Sequence, residues 1–245
     1  NYVRESVRSL AETGAANVGG PMDPVGITDC GKAIAAAGKS AFAVPSAFHV
    51  SDQPQYTDTV YMGAWKRTLF EKVGLYNPAT VPNEDYELNY RIRSSGGMIY
   101  LSPTIRSEYY GRQSLSSLAR QYFNYGIGKV QTLAIYPKSI RPRQLVAPVF
   151  VLGLFGGGIV SFLHSLLLAL WLGAISLYII INLLFSIRQA RHSGLNLLPR
   201  LPFVFFTIHL AWGTGFWIAL LRLIRKKLFI SKGSGVRLLT NENVL

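Results

Sequence analysis

Cysteine is nearly absent from this chain: Cys30 stands alone among 245 residues. One thiol can form neither an internal disulfide nor a cysteine-based metal centre, and its solitude suits a domain that faces the cytosol. Charge is scarce too, at 15% of residues against about 25% in average soluble domains. That shortage is concentrated. From Gln144 to Ile187, a run of 44 residues, there is no Asp, Glu, Lys or Arg. About 20 apolar residues cross the hydrocarbon of a bilayer, so a run of twice that length excludes a soluble globular protein and reads as an integral membrane protein. A basic patch interleaved with aromatic platforms is missing from the first 143 residues, which excludes a nucleic-acid partner. His49, His164, His192 and His209 are too scattered for a metal centre and read as structural or interfacial. There is no internal repeat, low-complexity tract or signal-peptide pattern. The opening residues, Asn1-Tyr2-Val3-Arg4-Glu5, look like the middle of a helix, so the chain is expected to begin inside a domain.

The charge that is present is mostly positive, with a net +13. Up to Arg143 there are 16 basic and 11 acidic residues; from Arg188 onward there are 9 basic and 1 acidic. The excess flanks the apolar segments, as in cytoplasmic loops that touch anionic lipid. Arg141-Pro142-Arg143 is a basic anchor before Leu145–Leu163, and Arg188-Gln189-Ala190-Arg191 follows Ser165–Ile187. Each apolar segment is long enough for one crossing at 1.5 Å per residue, and the two form a hairpin that opens and closes on one side. Gly156-Gly157-Gly158 within the first either permits close helix packing or marks a flexible weak point. A third apolar segment, Leu201–Leu221, raises a parity problem. Three full crossings would put Arg222, Arg225, Lys226 and Lys227 outside, against the positive-inside rule. An interfacial or re-entrant third segment removes the conflict, and so does a further span on the N-terminal side. The expected division is a soluble part at 1–143, a membrane part at 144–230 with two or three helices, and a basic, polar tail at 231–245.

The first 143 residues alternate short helices and strands, an α/β pattern. Val3, Val7, Leu10 and Ala11 form one face of a first helix stopped by Gly14. A strand runs through Ala15–Val18 into Gly19-Gly20, and Asp29–Ala37 is a small-residue helix bounded by Gly38. Thr57–Met62 alternates as a strand with Val60 and Met62 on one face. Trp65–Val73 reads as a helix stopped by Gly74, and Met98–Leu101 as a buried strand. Ser114 caps a helix lined by Leu115, Leu118, Ala119 and Tyr122, with Gly126 as its stop.

Between them lies the segment with most chemistry, Asn83-Glu84-Asp85-Tyr86-Glu87-Leu88, closed by Ser94-Ser95-Gly96-Gly97. Asn83 can cap a helix whose first turn holds Glu84 and Asp85, where negative charge suits the helix dipole. Leu88 and Ile92, four apart, turn the other face inward. A carboxylate held at the mouth of a helix, half out of the core, is placed as a general base would be. The alternative is an acidic first turn that only stabilises its helix.

In order and spacing, these pieces resemble the C-terminal two thirds of a bacterial family 2 glycosyltransferase of the membrane-bound, succinoglycan-biosynthesis type. The residues that carry the resemblance include Val18-Gly19-Gly20-Pro21, Asp58-Thr59-Val60, Phe70-Glu71-Lys72-Val73-Gly74 and Asn83-Glu84-Asp85-Tyr86-Glu87-Leu88-Asn89. Gly111-Arg112-Gln113-Ser114-Leu115, Arg120-Gln121 and Tyr125-Gly126 continue the pattern. The resemblance implies the C-terminal part of a GT-A nucleotide-sugar transferase fold, followed by transmembrane helices. It implies transfer of a sugar, with inversion, from a nucleotide-diphosphate sugar to a polyprenyl-linked or polysaccharide acceptor at the cytoplasmic face of the inner membrane. Asp85 would then be the general base and Glu84 would orient it or the acceptor. Arg112, Arg120 and Gln121 would lie beside the donor diphosphate, where guanidinium forks match phosphate oxygens; otherwise the two arginines are surface residues near a membrane.

Two departures qualify the resemblance. Tyr86 stands where close relatives often carry a third acid, and Arg120-Gln121-Tyr122-Phe123 replaces the Gln-x-x-Arg-Trp form of processive synthases, which favours addition of single sugars. The resemblance also implies Mg²⁺ or Mn²⁺ held by an Asp-x-Asp-type site in a preceding nucleotide-binding half. No metal ligand is expected within this chain, and the chain alone is expected not to be competent. Asp23, between prolines, reads as a turn. The competing readings are a non-catalytic membrane scaffold that retains part of the transferase fold and a small transporter; the long soluble start and the lack of intramembrane charge oppose the transporter.

Overall fold

The computed structural model describes residues 1–43, 46–81 and 83–234, with the side chains of Val50, Ala79 and 227–234 outside the description. The chain opens with α1 (Tyr2–Thr13), β1 (Asn17–Gly20), β2 (Met22–Val25) and α2 (Asp29–Gly38). It continues through α3 (Ala47–Val50), β3 (Gln55–Tyr56), β4 (Tyr61–Ala64), α4 (Leu69–Val73) and α5 (Glu84–Ser94). After β5 (Ile99–Leu101) and β6 (Ser107–Tyr110) come four long helices: α6 (Leu115–Ile135), α7 (Val146–Ser161), α8 (Ser165–Ser193) and α9 (Leu201–Ser234). The α/β character is therefore as the sequence implies, with the apolar helices at the C-terminal end.

Four short strands form one sheet in the order β3-β5-β1-β4; β1 and β5 are parallel and the other two pairings antiparallel. A second, parallel pair joins β2 to β6. Parallel β1 and β5 need a long crossover, and that crossover contains α5. Leu88 and Ile92 of α5 pack on Val60, Ile99 and Leu101, closing one core between helix and sheet. A second core under α1 gathers Ala15, Val18 and Ile105. The third is built by α2, α6, α8 and α9, with Ala33, Ala37, Leu118, Ala190, Val204 and Phe205 buried together.

Several local expectations need correction. α1 ends at Gly14 in the left-handed region, at φ 62°; Leu10 of the expected face packs on the core with Tyr2, but the most buried residues are Ser6 and Ser9, whereas Val3 and Val7 are exposed. The Tyr2 hydroxyl donates to the Met62 carbonyl, and small hydroxyl residues let the helix lie close to the sheet. Met62 does not share the buried face of Val60; it is exposed at φ 45°, and the strand begins only at Tyr61. The helix expected at Trp65–Val73 shrinks to Leu69–Val73, although Gly74 does end it, at φ 77°. Met98 is exposed and precedes its strand.

The largest correction concerns Gly126. It does not end a helix: α6 runs on to Ile135. A Cβ at Gly126 would stand 2.2 Å from the Trp212 carbonyl oxygen, and one at Gly215 would stand 2.1 Å from the Phe123 carbonyl oxygen. The two glycines let the backbones of α6 and α9 touch, the helical use of small residues at a crossing. Gly213, on another side of α9, meets α7 in the same way, 2.4 Å from the Ala147 carbonyl oxygen. The run Gly156-Gly157-Gly158 serves a side chain instead. Gly157 and Gly158 leave room for the Trp171 ring, and its indole N–H reaches the carbonyls of Gly153 and Leu154.

Three helices are long and apolar enough to cross a membrane, at Pro142–Ser161, Ser165–Ser193 and Leu201–Lys226. They differ in surroundings. Protein buries 44% of the apolar stretch of the third, against 17% and 6% for the first two. Arg200, just before α9, pairs with Asp29 of α2 at 3.2 Å, and His209 Nε2 lies 2.8 Å from the Phe42 carbonyl. The loop between α8 and α9 is thus seated on the α/β part, so loop and α/β part share one side of any membrane that α7 and α8 cross. A cysteine at Ser193, with Cys30 removed, is expected to be labelled only from the side on which the α/β part is labelled. Labelling from opposite sides would overturn the packing of α2 on α8 and α9.

Candidate active site

The four residues that begin α5 have separate environments. Asn83 is not a side-chain cap: its side chain makes no capping bond and donates instead to the Tyr125 carbonyl, at 3.2 Å. It thereby ties the start of α5 to the middle of α6. Glu87 is fully buried and held by Arg91 through bonds of 2.7 and 2.8 Å. Arg91 also donates to the carbonyls of Val73, Gly74 and Leu75, so this pair fastens the end of α4 to α5. Removing one partner of a buried pair typically costs about 3–5 kcal/mol. Glu87 is structural.

Asp85 is the exposed carboxylate of the group. It accepts a bond of 3.0 Å from the Tyr76 hydroxyl. Partial burial, then the charge and hydrogen bond of Asp85, then the charge of Glu84, hold the Tyr76 hydroxyl well above its usual pKa. Tyr76 therefore remains a donor that orients the carboxylate through one of its two oxygens. Glu84 is half-buried, and its Oε2 is buried without a hydrogen-bond partner. A buried oxygen of that kind is costly unless something satisfies it, which sets Glu84 apart from the bonded carboxylates of Asp85 and Glu87.

The orientation of α5 rests on a buried relay. Asn17 of β1 donates to Asn89 Oδ1 at 2.7 Å, and Asn89 donates to the Thr59 hydroxyl at 2.9 Å. With Leu88 and Ile92 below, the helix has no freedom to turn Asp85 inward.

The other candidate residues stand in the first half of α6 and the loop before it. The Ser114 side chain caps the helix by accepting from the Ser117 N–H. Gln113, just before, accepts from the N–H groups of Ile27 and Thr28 at 2.9 and 3.0 Å; this fixes the loop that carries Arg112 against the start of α2. Gln121 accepts from Arg112 Nε at 3.3 Å and donates to the hydroxyls of Tyr109 and Tyr125, at 3.2 and 2.8 Å. Tyr109 meets Tyr61 edge-on, with ring centroids 5.9 Å apart. Burial, then Tyr109, then the charge of Asp85 raise the Tyr61 pKa. Burial likewise raises that of Tyr125, against the lowering effect of its bond from Gln121.

The structure therefore brings Asp85, Glu84, Gln121 and Arg112 into one neighbourhood, bridged by tyrosines. Arg120 stands one step aside. With Arg112, Gln121 and Asn124 it lines a cavity of about 340 Å³. Neither Arg112 nor Arg120 takes part in an ion pair among the described residues, so both guanidinium charges are available to an anion. The residues that sequence reasoning missed are Tyr61, Tyr76 and Tyr109, and Tyr125 in its bridging role. Tyrosines at no regular spacing announce nothing until the fold collects them.

A divalent cation would need grouped oxygen or nitrogen ligands, and the acids present do not fit that need. Asp23 is engaged by Lys39 and Arg106, and Asp58 by Arg143 and Arg141. No group of three or more His, Cys, Asp or Glu side chains occurs among the described residues.

Neither a family model nor a solved structure matches the chain. Among curated proteins it is similar to the succinoglycan biosynthesis protein ExoA of Rhizobium meliloti (strain 1021), with 27% identity over 231 residues covering 92% of this chain and 67% of that protein.

Proposed function

We propose that the chain is a membrane-bound glycosyltransferase of exopolysaccharide synthesis, or the acceptor-side part of one. In this reading it transfers a sugar from a nucleotide-diphosphate donor to a lipid-linked or polysaccharide acceptor at the cytoplasmic face of the membrane. The observation that carries it is Asp85: a carboxylate exposed at the start of a firmly held helix, oriented by the Tyr76 hydroxyl and near the Tyr61–Tyr109 pair that leads through Gln121 to Arg112. The similarity to a succinoglycan biosynthesis protein over 92% of the chain supports the same conclusion.

A sugar hydroxyl is a poor nucleophile at neutral pH. As its oxygen bonds to the anomeric carbon, Asp85 accepts its proton, while the bond from that carbon to the donor diphosphate breaks and its electron pair goes to phosphate oxygen. One direct displacement inverts the configuration. Arg112 and Arg120 offset the charge that grows on the departing diphosphate, and Gln121 holds Arg112 in place. Glu84 positions the acceptor through its unsatisfied oxygen. A Mg²⁺ or Mn²⁺ ion remains part of the proposal; no group of three or more His, Cys, Asp or Glu side chains stands ready for it among the described residues, and no step here passes through it.

Calorimetry on the detergent-solubilised chain tests the role of the arginines. Nucleotide-diphosphate sugars are expected to bind weakly, without dependence on Mn²⁺, and to be released by salt, since exposed charge contacts are screened within about 8 Å at physiological ionic strength. Replacing both Arg112 and Arg120 by Gln should abolish that binding. Binding that survives the double replacement removes the arginines from the diphosphate site, and micromolar binding lost on chelation reveals a metal site in this chain.

A further inference from the structure

Beside α5, in a cluster that does not include Asp85, four basic side chains gather around one carboxylate. Arg93 comes from α5, Lys129 from α6, and Arg141 and Arg143 from the short segment that leads into α7. Asp58, between β3 and β4, is bound by Arg143 and lies 3.9 Å from Arg141. Lys129 is buried; its ammonium donates to the Ser139 carbonyl at 3.1 Å and sits 4.0 Å from the centre of the Tyr86 ring. Tyr86 donates to the same carbonyl, at 2.7 Å. Arg93 lies over the Tyr90 ring, yet its Nε and Nη2 are buried with no hydrogen-bond partner.

A single carboxylate cannot balance three guanidinium groups and a lysine. The imbalance is felt inside the cluster. Burial brings Lys129 down to about 7, with Asp58 opposing and Arg143, Arg93 and Arg141 adding to the fall. Burial and then Arg141 lower Arg93. Buried guanidinium donors left unpaired, beside a buried ammonium with one carbonyl, have the chemistry of a site for a tetrahedral oxyanion. The outer members, Arg141 and Arg143, are partly exposed, so the site has a mouth. That mouth lies in the residues that open the first apolar stretch, Pro142–Ser161, at the level where lipid phosphates lie if that helix crosses a bilayer.

We propose that this corner binds the phosphate of an anionic membrane lipid, with Arg141 and Arg143 at the entrance and Arg93 and Lys129 at the base. The headgroup offsets the surplus charge and fixes the α/β part against the membrane at the point where the chain enters it. This site is separate from the cavity lined by Arg112 and Arg120, and it does not depend on the transferase reading.

The test uses the whole chain in uncharged detergent, titrated with short-chain phosphatidic acid, short-chain phosphatidylcholine and inorganic phosphate. Saturable binding of phosphatidic acid is expected, with little binding of either comparator. Arg93→Gln and Arg143→Gln should each raise Kd about tenfold or more, the scale of one charge-assisted hydrogen bond, and Arg222→Gln, in the exposed part of α9, should leave it unchanged. Arg143 is partly exposed, so its variant carries the test if Arg93→Gln loses the helical circular-dichroism signal. An unchanged Kd in the folded cluster variants overturns the proposal. Equal binding of inorganic phosphate and phosphatidic acid also overturns it, by making the ligand a solution anion.

Discussion

Asp85→Asn is expected to lower sugar transfer by the natural protein in its native membranes about 10²-fold or more, the usual scale of general-base catalysis. Asn keeps the size and can still accept from the Tyr76 hydroxyl, so the fold and the orientation of the side chain should persist. What disappears is the site that takes the acceptor proton. The loss should therefore appear in kcat, with the acceptor KM within a few-fold. Tyr76→Phe removes only the orienting bond, at 3.0 Å, and should have a smaller effect, as should Glu84→Gln. Glu87→Gln makes an informative contrast: Glu87 is fully buried against Arg91, so its replacement should reduce stability first and activity only as a consequence. Transfer by Asp85→Asn within a few-fold of the parent would take Asp85 out of the base role and leave a first-turn acid that stabilises its helix.

The acid pair was legible in the sequence because a helix start, its charges and its inward-facing Leu88 and Ile92 are all local features. What the neighbours do with each carboxylate was not legible. Glu84, Asp85 and Glu87 have one chemistry on paper; burial and partners separate a half-buried oxygen, an exposed oxygen and a salt-bridged one. Arg112, Arg120 and Gln121 were named through a family resemblance, and the fold places Gln121 and Arg112 in one hydrogen-bonded chain while Arg120 stands at a cavity rim. Tyr61, Tyr76 and Tyr109 had no signal at all, since their contacts span 9 to 48 positions along the chain and no periodicity relates them, whereas Tyr125 follows Gln121 by one helical turn. Membrane segments were legible from the missing charge alone, for hydropathy needs no tertiary partner. The different surroundings of the third segment were not, because α9 is covered by α2 and α6, which lie far from it in sequence.

Gly126→Leu separates the reading of that glycine as a helix stop from its place in a helix crossing. At a stop in the left-handed region, either replacement would cost about 1 kcal/mol through the lost backbone freedom of glycine, whatever the size of the side chain. At the crossing the cost must grow with the size of the side chain. Even the single Cβ of Ala falls 2.2 Å from the Trp212 carbonyl oxygen and 2.8 Å from the Phe216 nitrogen. Those are backbone atoms, which cannot rotate away as a side chain would. We expect Gly126→Ala to cost about 1–3 kcal/mol, as overpacking does, and Gly126→Leu to exceed that range, with Gly215→Leu as severe. Gly153→Ala, where an added Cβ meets nothing within 4 Å, should be close to neutral. Thermal melting in detergent, followed by circular dichroism, reads the order directly; equal melting temperatures for Gly126→Ala and Gly153→Ala would refute the crossing. The consequence reaches the candidate site. α6 carries Gln121 and Tyr125 on one side and contacts α9 through Phe123 and Gly126 on another. If the clash moves α6 away from α9, Tyr125 and Gln121 shift relative to Asn83 and Asp85. Transfer should then fall even at temperatures where Gly126→Ala remains folded, whereas Gly153→Ala should leave it unchanged.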